Sequence, residues 1–199
     1  SISQKANIST GGVGTVTLTV DNGLITMADL TTTTTAAGVI AYSSTSDVSL
    51  SVLTSTSGAI NVTAGSGASV SGAIRDITAL EAANLATSGT AALTAETGIG
   101  GSGAADLDTT IGTLTATNNT SGDIYIQETD GLIIGGTGVR TLAANGNINV
   151  DVDAGALTVS AVITAHGAGN ITLNADAGML TQDAAQTISS TSGHILLTA

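Results

Sequence analysis

The stretch GNINVDVDAGALTVSAVITAHGA, residues 146–168, is followed without a break by GNITLNADAGMLTQDAAQTISSTS, residues 169–192. Each line has a glycine, an alternating apolar run, an Asp-Ala-Gly and then a further apolar patch. The same opening occurs at Gly122 (GDIYIQ) and Gly193 (GHILLT), so the unit glycines Gly122, Gly146, Gly169 and Gly193 recur at nearly even intervals. The second signal recurs at a fixed offset as TDGLII (129–134), DAGALT (153–158) and DAGMLT (176–181). The third is VRTLAA (139–144), AVIT (161–164) and QTISS (186–190). Each unit therefore offers three short β-like segments separated by Gly, Asn, Asp or Ser.

A unit of this length fits either a leucine-rich repeat, with one strand and one helix, or a parallel β-helix, with two or three strands per coil. Three patches and no helical 3.6-residue period select the β-helix. Composition agrees, because Thr, Ser, Asn and Gly are weak helix formers while Thr, Val and Ile suit strands. One coil cannot bury its inward face alone, but stacked coils build a continuous core. Equivalent residues then stack about 4.8 Å apart in parallel register. This predicts a core column of Ile124, Ile148, Ile171 and Ile195, with Tyr125, Asn149, Thr172 and Leu196 facing outward. The four unit glycines and Gly131, Gly155 and Gly178 are expected at tight corners that need a positive φ.

The N-terminal part carries the same signals less evenly. Gly14, Gly58 and Gly89 open similar runs, and DNGLIT (21–26) stands where DAGALT stands later. The expected organisation is one β-solenoid over 1–199, with irregular coils and insertions over 1–121. Over 122–199 the coils are expected to be regular, at roughly 23–24 residues each. TTTTT (31–35) and GIGGSGAADLD (98–108) are expected to bulge from corners. ITALEAANLA (77–86), the one helix-tolerant stretch, is expected as an outward loop or a broader coil wall. Seven or eight coils make a rod roughly 35 Å long. The chain begins with Ser1 and has no charged-then-apolar N-terminal signal, and HILLTA reads as the first strand of a further coil. Continuation by further repeats, or head-to-tail or lateral self-assembly, is the expected partnership.

Composition bounds the chemistry. The 199 residues include no Pro, Cys, Trp or Phe, and 42 % are hydrophobic against 9 % charged. A fold is expected, since disorder needs low hydrophobicity and high charge. Net charge is −12, with only three cationic side chains, Lys5, Arg75 and Arg140. Nucleic acid, which demands clustered cations, is excluded as a partner. No apolar run approaches the roughly 18 residues of a membrane span. Without cysteine there is no thiolate metal site and no thiol nucleophile.

Asp130, Asp153 and Asp176 lie at the second corner, with Asp21, Asp151 and Asp183 in related positions. Asp153 and Asp176 should stack one coil apart, a separation that suits calcium through oxygen ligands or a catalytic carboxylate pair. A recurring Asp beside Gly is more simply an Asx-turn. Turn formation is therefore the leading reading, calcium at Asp153, Asp176 and Asp130 is secondary, and no catalytic residue is assigned. His166 and His194 are separated by more than one coil repeat and so fall out of step, and a shared metal is not expected. GIGGSG and GGVG lack the lysine of a phosphate-binding loop. TVTLTV (15–20) suggests an outward threonine ladder, but the outward series Tyr125, Asn149, Thr172 is not one. Tyr42 and Tyr125 are the only aromatic residues available to stack on sugars.

The segments GDIYIQETDGLIIGG, GNINVDVDAGALT, GNITLNADAGMLT and GTAALTAETGIGGSG resemble the repeats of very large bacterial surface proteins of the filamentous-haemagglutinin-like type, including two-partner-secreted and autotransported adhesins. The resemblance spans nearly the whole chain. It implies a right-handed parallel β-helix serving as an extracellular stalk, filament or adhesive surface, facing a host or neighbouring cell, with no enzymatic activity and no cofactor. The alternative is a polysaccharide-binding or cleaving β-helix, as in a phage fibre or a lyase.

Overall fold

A computed structural model describes residues 1–67, 71–78 and 81–199. The chain is all-β, with no helix among the described residues. Short parallel strands stack into a β-solenoid of about eight coils.

Each coil is built from the three patches. The first holds β1 (Ile2–Gln4), β2 (Ile8–Ser9) and β3 (Val16–Val20). The second holds β4 (Ile25–Met27), β5 (Thr32–Thr35) and β6 (Ile40–Ser44), and the third β7 (Val48–Leu50), β8 (Val52–Ser55) and β9 (Ile60–Ala64). In the fourth, β10 (Ile74–Asp76) precedes one long bent strand, β11 (Leu85–Ala95); the fifth has the similar β12 (Leu107–Asn118). The sixth consists of β13 (Ile124–Glu128) and β14 (Leu132–Thr141). The seventh has β15 (Ile148–Val152), β16 (Leu157–Val159) and β17 (Ile163–Ala165). The eighth has β18 (Ile171–Ala175), β19 (Leu180–Gln182) and β20 (Ile188–Ser190), before β21 (Ile195–Thr198) begins another.

One column defines the axis. Ile2 pairs with Ile25, Ile25 with Val48, Val48 with Ile74, Ile74 with Ile99 and Ile99 with Ile124. From there the register runs through Ile148 and Ile171 to Ile195. The first two steps, Ile2 to Ile25 and Ile25 to Val48, are equal in length, and the longest step is Val48 to Ile74. Uneven glycine spacing in the first half therefore overlies an even coil. From Ile25 to Ile171 every member of the column is buried, while Ile195 is 44 % exposed on the last edge.

Strict alternation places the core. In β6, β9, β13, β15 and β18, buried residues occupy the first, third and fifth positions. The interior is filled by Ile, Val, Leu and Ala, with Tyr42 as its one aromatic ring. Such a core is narrow, since facing walls meet mostly through small aliphatic side chains.

Two expected bulges are resolved differently. Thr32–Thr35 is strand β5, with Thr33 and Thr35 buried. The inward hydroxyls are satisfied locally: Thr35 Oγ1 donates to the Gly38 carbonyl at 2.7 Å, and Thr33 joins Gln4 and Tyr42. A polar run can thus line the core when every second hydroxyl finds a partner. In GIGGSGAADLD the ends belong to the wall, Ile99 in the column and Leu107–Asp108 in β12, so only the residues between them protrude. Of ITALEAANLA, Leu85 and Ala86 lie in β11, while Ala79 and Leu80 fall outside the described residues.

The glycines also need correcting. Among the seven assigned to positive-φ corners, only Gly122 (φ +86°) and Gly155 (φ +83°) have that conformation. Gly146, Gly169 and Gly193 are required by close approach instead. A Cβ on Gly146 would fall on the carbonyl oxygen of Gly122, on Gly169 onto that of Gly146, and on Gly193 onto that of Gly169. Gly178 is similarly closed by the Gly155 carbonyl, whereas the space over Gly131 is looser. The unit glycine is a column of backbone packed on backbone.

Candidate functional site

Coil stacking brings the second-corner aspartates together on the outer face. Val152 pairs with Ala175, so Asp153 and Asp176 follow in adjacent positions, each with its N–H bonded to the coil below. One carboxylate oxygen from each of Asp151, Asp153 and Asp176 lies within 4.8 Å of the others. Asp130 is not in this group. Glu128 pairs with Val152, which puts Thr129 rather than Asp130 level with Asp153. The corner from Glu128 to Leu132 is one residue shorter than that from Val152 to Leu157, although both pairs are in register. That deletion displaces the TDG aspartate from the column.

The corner carboxylates accept hydrogen bonds from side chains. Gln127 Nε2 donates to both oxygens of Asp153, at 3.3 and 3.2 Å. Asn174 Nδ2 donates to Asp151 at 2.9 Å and also to Asp176. Asx-turn bonds from the corner N–H groups are not what holds them; Asp76, which accepts from Thr78 N at 2.7 Å, makes that turn instead. Burial raises the Asp151 carboxyl above its usual range, the Asn174 bond opposes this, and Asp176 and Asp153 add repulsion.

A second group of acids was not apparent from the repeat. Glu81, Asp106 and Asp108 also place one carboxylate oxygen each within 4.8 Å of one another. Glu81 is exposed on the fourth coil, Asp106 ends the protruding loop of the fifth, and Asp108 is buried in β12. Gly100 (φ +66°) and Gly103 (φ +61°) turn that loop back toward the wall. Burial, with repulsion from Glu81, Asp76 and Asp151, pushes Asp106 up to about 6. Burial, with repulsion from Asp106, Glu81, Asp76 and Asp153, pushes Asp108 up to about 7. The signal was present in AADLD, but finding it required knowing that this loop folds back onto the preceding coil.

A third acid lies inside the core. Glu128 is fully buried, pairs with Thr109 across coils, and accepts from Thr109 Oγ1 at 2.7 Å. The Ile111 N–H donates to both its oxygens at 3.1 Å, and Asp130 N–H reaches Oε1 at 3.4 Å. Burial dominates and raises this carboxyl to about 7, although the Thr109 and Ile111 bonds favour its charged form.

The outer faces differ from wall to wall. Ahead of the isoleucine column, Asp123, Asn147 and Asn170 form a ladder. Asn147 N donates to Asp123 at 2.7 Å, Asn170 N to Asn147 Oδ1 at 2.9 Å, and His194 N to Asn170 Oδ1 at 2.8 Å. Tyr125, Asn147, Asn149, Asn170 and Thr172 line a shallow groove beside it. On another wall, Thr19, Ser43, Thr63, Thr94, Thr117, Arg140, Thr164 and Ser189 are successive register partners. This hydroxyl column, interrupted by Arg140, escaped a reading that followed only the Tyr125 series. Tyr42 is buried, which leaves Tyr125 as the aromatic side chain on the outside. A larger open groove is lined by Thr54, Thr56, Ala86, Ser88, Thr110 and Asp130, with Asp130 its one ionisable residue.

Neither histidine joins a group of three metal-capable side chains among the described residues. Arg75 pairs with Asp47 at 3.0 Å on the surface. No helix among the described residues is long and apolar enough to cross a membrane. The fold and these faces define the class as a parallel β-solenoid with acidic and hydroxyl-rich outer columns. Comparison with family models, with curated proteins and with solved structures gives no match.

Proposed function

We propose that the chain is a structural and adhesive repeat segment of an extracellular bacterial surface filament or stalk, without enzymatic activity. The observation that carries this reading is the unbroken column from Ile2 to Ile195, which gives every coil one axial repeat and one orientation. A rod of this kind keeps what lies at its two ends apart, and its length grows with each added coil. Outer columns rich in Thr, Ser and Asn give it a polar face, and net charge −12 supports solubility without disulfides. The similarity of the repeats to filamentous-haemagglutinin-like adhesins supports the same assignment.

Immunogold labelling of intact cells of the producing organism, with antibody against the chain, tests the location. Gold along surface projections is the expected result, and label confined to the cell interior would refute the proposal. Adhesion is tested separately, by binding of the purified chain to immobilised cells.

A second reading, polysaccharide binding, is favoured by the groove in which Tyr125 is flanked by Asn147, Asn149 and Asn170. An aromatic face beside amides suits a sugar ring and its hydroxyls. Glycan-array binding that is lost in Tyr125→Ala would select it.

A further inference from the structure

Asp108 is 7 % exposed, and its Oδ2 is buried with no hydrogen-bond partner. Glu128 shows what a buried carboxylate in this protein otherwise receives, namely a hydroxyl and two backbone N–H groups. Leaving such a group unpaired costs far more than any hydrogen bond would add. Asp106 Oδ1, beside it, is likewise buried and without a partner. Glu81 supplies a third carboxylate, and one oxygen from each of the three lies within 4.8 Å of the others. The ion pair among the described residues, Arg75–Asp47, is made with a different acid.

We propose that Glu81, Asp106 and Asp108 bind a calcium ion. Calcium takes oxygen ligands at about 2.3–2.6 Å, so two ligands on opposite sides of it lie up to about 5 Å apart. The three carboxylate oxygens, all within 4.8 Å of one another, meet that condition. Magnesium, at about 2.0–2.1 Å with near-ideal octahedral demands, fits a set drawn from an irregular loop less well. The ion fills the place left by the missing hydrogen bonds and ties the protruding loop of the fifth coil to the fourth. The Asp151, Asp153 and Asp176 group lacks this second feature, because its carboxylates are engaged by Asn174 and Gln127. The inference is independent of the surface-filament reading.

Calorimetric titration of the whole chain with calcium chloride, paired with thermal unfolding in calcium or chelator, tests the site. One calcium per chain and a higher unfolding midpoint in calcium are expected. Glu81→Gln, at an exposed position, should fold normally and weaken binding by at least about ten-fold, the scale on which metal sites respond to loss of a supporting group. Asp108→Asn should abolish binding while unfolding, in chelator, no more easily than the parent. Asp153→Asn should bind as the parent does. No heat and no midpoint shift at millimolar calcium, as two carboxyls merely sharing a proton would give, overturns the proposal. So does binding that survives both Glu81→Gln and Asp108→Asn, or binding lost in Asp153→Asn. An equal response to magnesium chloride overturns the choice of calcium.

Discussion

Glu128 stacks on Thr109 in the centre of the solenoid, its carboxylate accepting the Thr109 hydroxyl at 2.7 Å. The next two coils place Val152 and Ala175 at the same position, so one carboxyl has been set into an apolar column. Burial raises it from 4.5 to about 7. An acid whose folded value is raised contributes stability that is complete below its unfolded value and is lost as pH rises through the folded one. The solenoid should therefore weaken between about pH 4.5 and pH 7. At about 1.4 kcal/mol per pH unit, the contribution is on the order of 3 kcal/mol. In chelator, where no cation holds them ionised, Asp106 and Asp108 act in the same direction, so the variant Glu128→Gln isolates the effect. Urea unfolding across this range should show a shallower pH slope for Glu128→Gln, and parallel curves would dismiss the mechanism.

The glycine column makes a contrast that conformation alone does not. Gly146 has no positive φ, yet an added Cβ meets the Gly122 carbonyl oxygen and the Thr141 side chain. Gly103 has φ +61° and open space around it. Gly103→Ala should cost roughly 1–2 kcal/mol, the penalty for a left-handed conformation. Gly146→Ala should cost more, because two backbones must separate in a close-packed stack. Thermal midpoints of the two variants decide the matter, and an equal loss would mean that the column tolerates a methyl group.

What the sequence made legible was the periodic part. Ile124, Ile148, Ile171 and Ile195 could be aligned because their units share a glycine and an alternating run. The same column through Val48, Ile74 and Ile99 was hidden, since the glycine pattern drifts where coils lengthen while the inward isoleucine does not. Thr33 and Thr35 looked like loop because hydroxyls read as surface, and only the positions of Gln4, Tyr42 and Gly38 explain their burial. Asp153 and Asp176 came from a repeated motif and do lie side by side. Glu81, Asp106 and Asp108 belong to no motif; they meet because a non-repeating loop folds back, which no period can signal.

The Asp123–Asn147–Asn170 ladder gives a directional prediction. Each side-chain oxygen accepts the N–H of the next coil, so removing one strands a donor one coil further along. Asn147→Ala should cost about 0.5–1.5 kcal/mol, the net worth of a hydrogen bond, because the Asn170 N–H is exposed and water can replace its acceptor. Asn147→Asp keeps an oxygen for the Asn170 N–H but loses the Asn147 Nδ2 donor to Asp123 Oδ1 and sets two carboxylates against each other. It should therefore recover the loss only at acid pH, where one of them is protonated. Hydrogen exchange localises the effect: the Asn170 amide should exchange faster in Asn147→Ala, and unchanged protection there would show the ladder to be incidental.

Tyr42 tests whether the polar cluster in the first coils acts as one unit. Its hydroxyl donates to Gln4 Oε1 at 2.6 Å and lies 2.6 Å from Thr33 Oγ1, while Gln4 Nε2 donates to the same Thr33 oxygen at 3.0 Å. All three side chains are buried, so each lost partner is paid for in desolvation rather than replaced by water. Tyr42→Phe preserves the ring and should cost about 1–2 kcal/mol. Tyr42→Ala removes the largest core side chain and should cost about 3–5 kcal/mol, because a narrow core collapses poorly into the gap. Thr33→Val alone should also destabilise, since Gln4 then loses an acceptor. In the double variant Tyr42→Phe, Thr33→Val the losses should fall short of their sum, because both substitutions break the same contact. Chemical unfolding of the four proteins measures that coupling, and strict additivity would mean that the hydroxyls act separately.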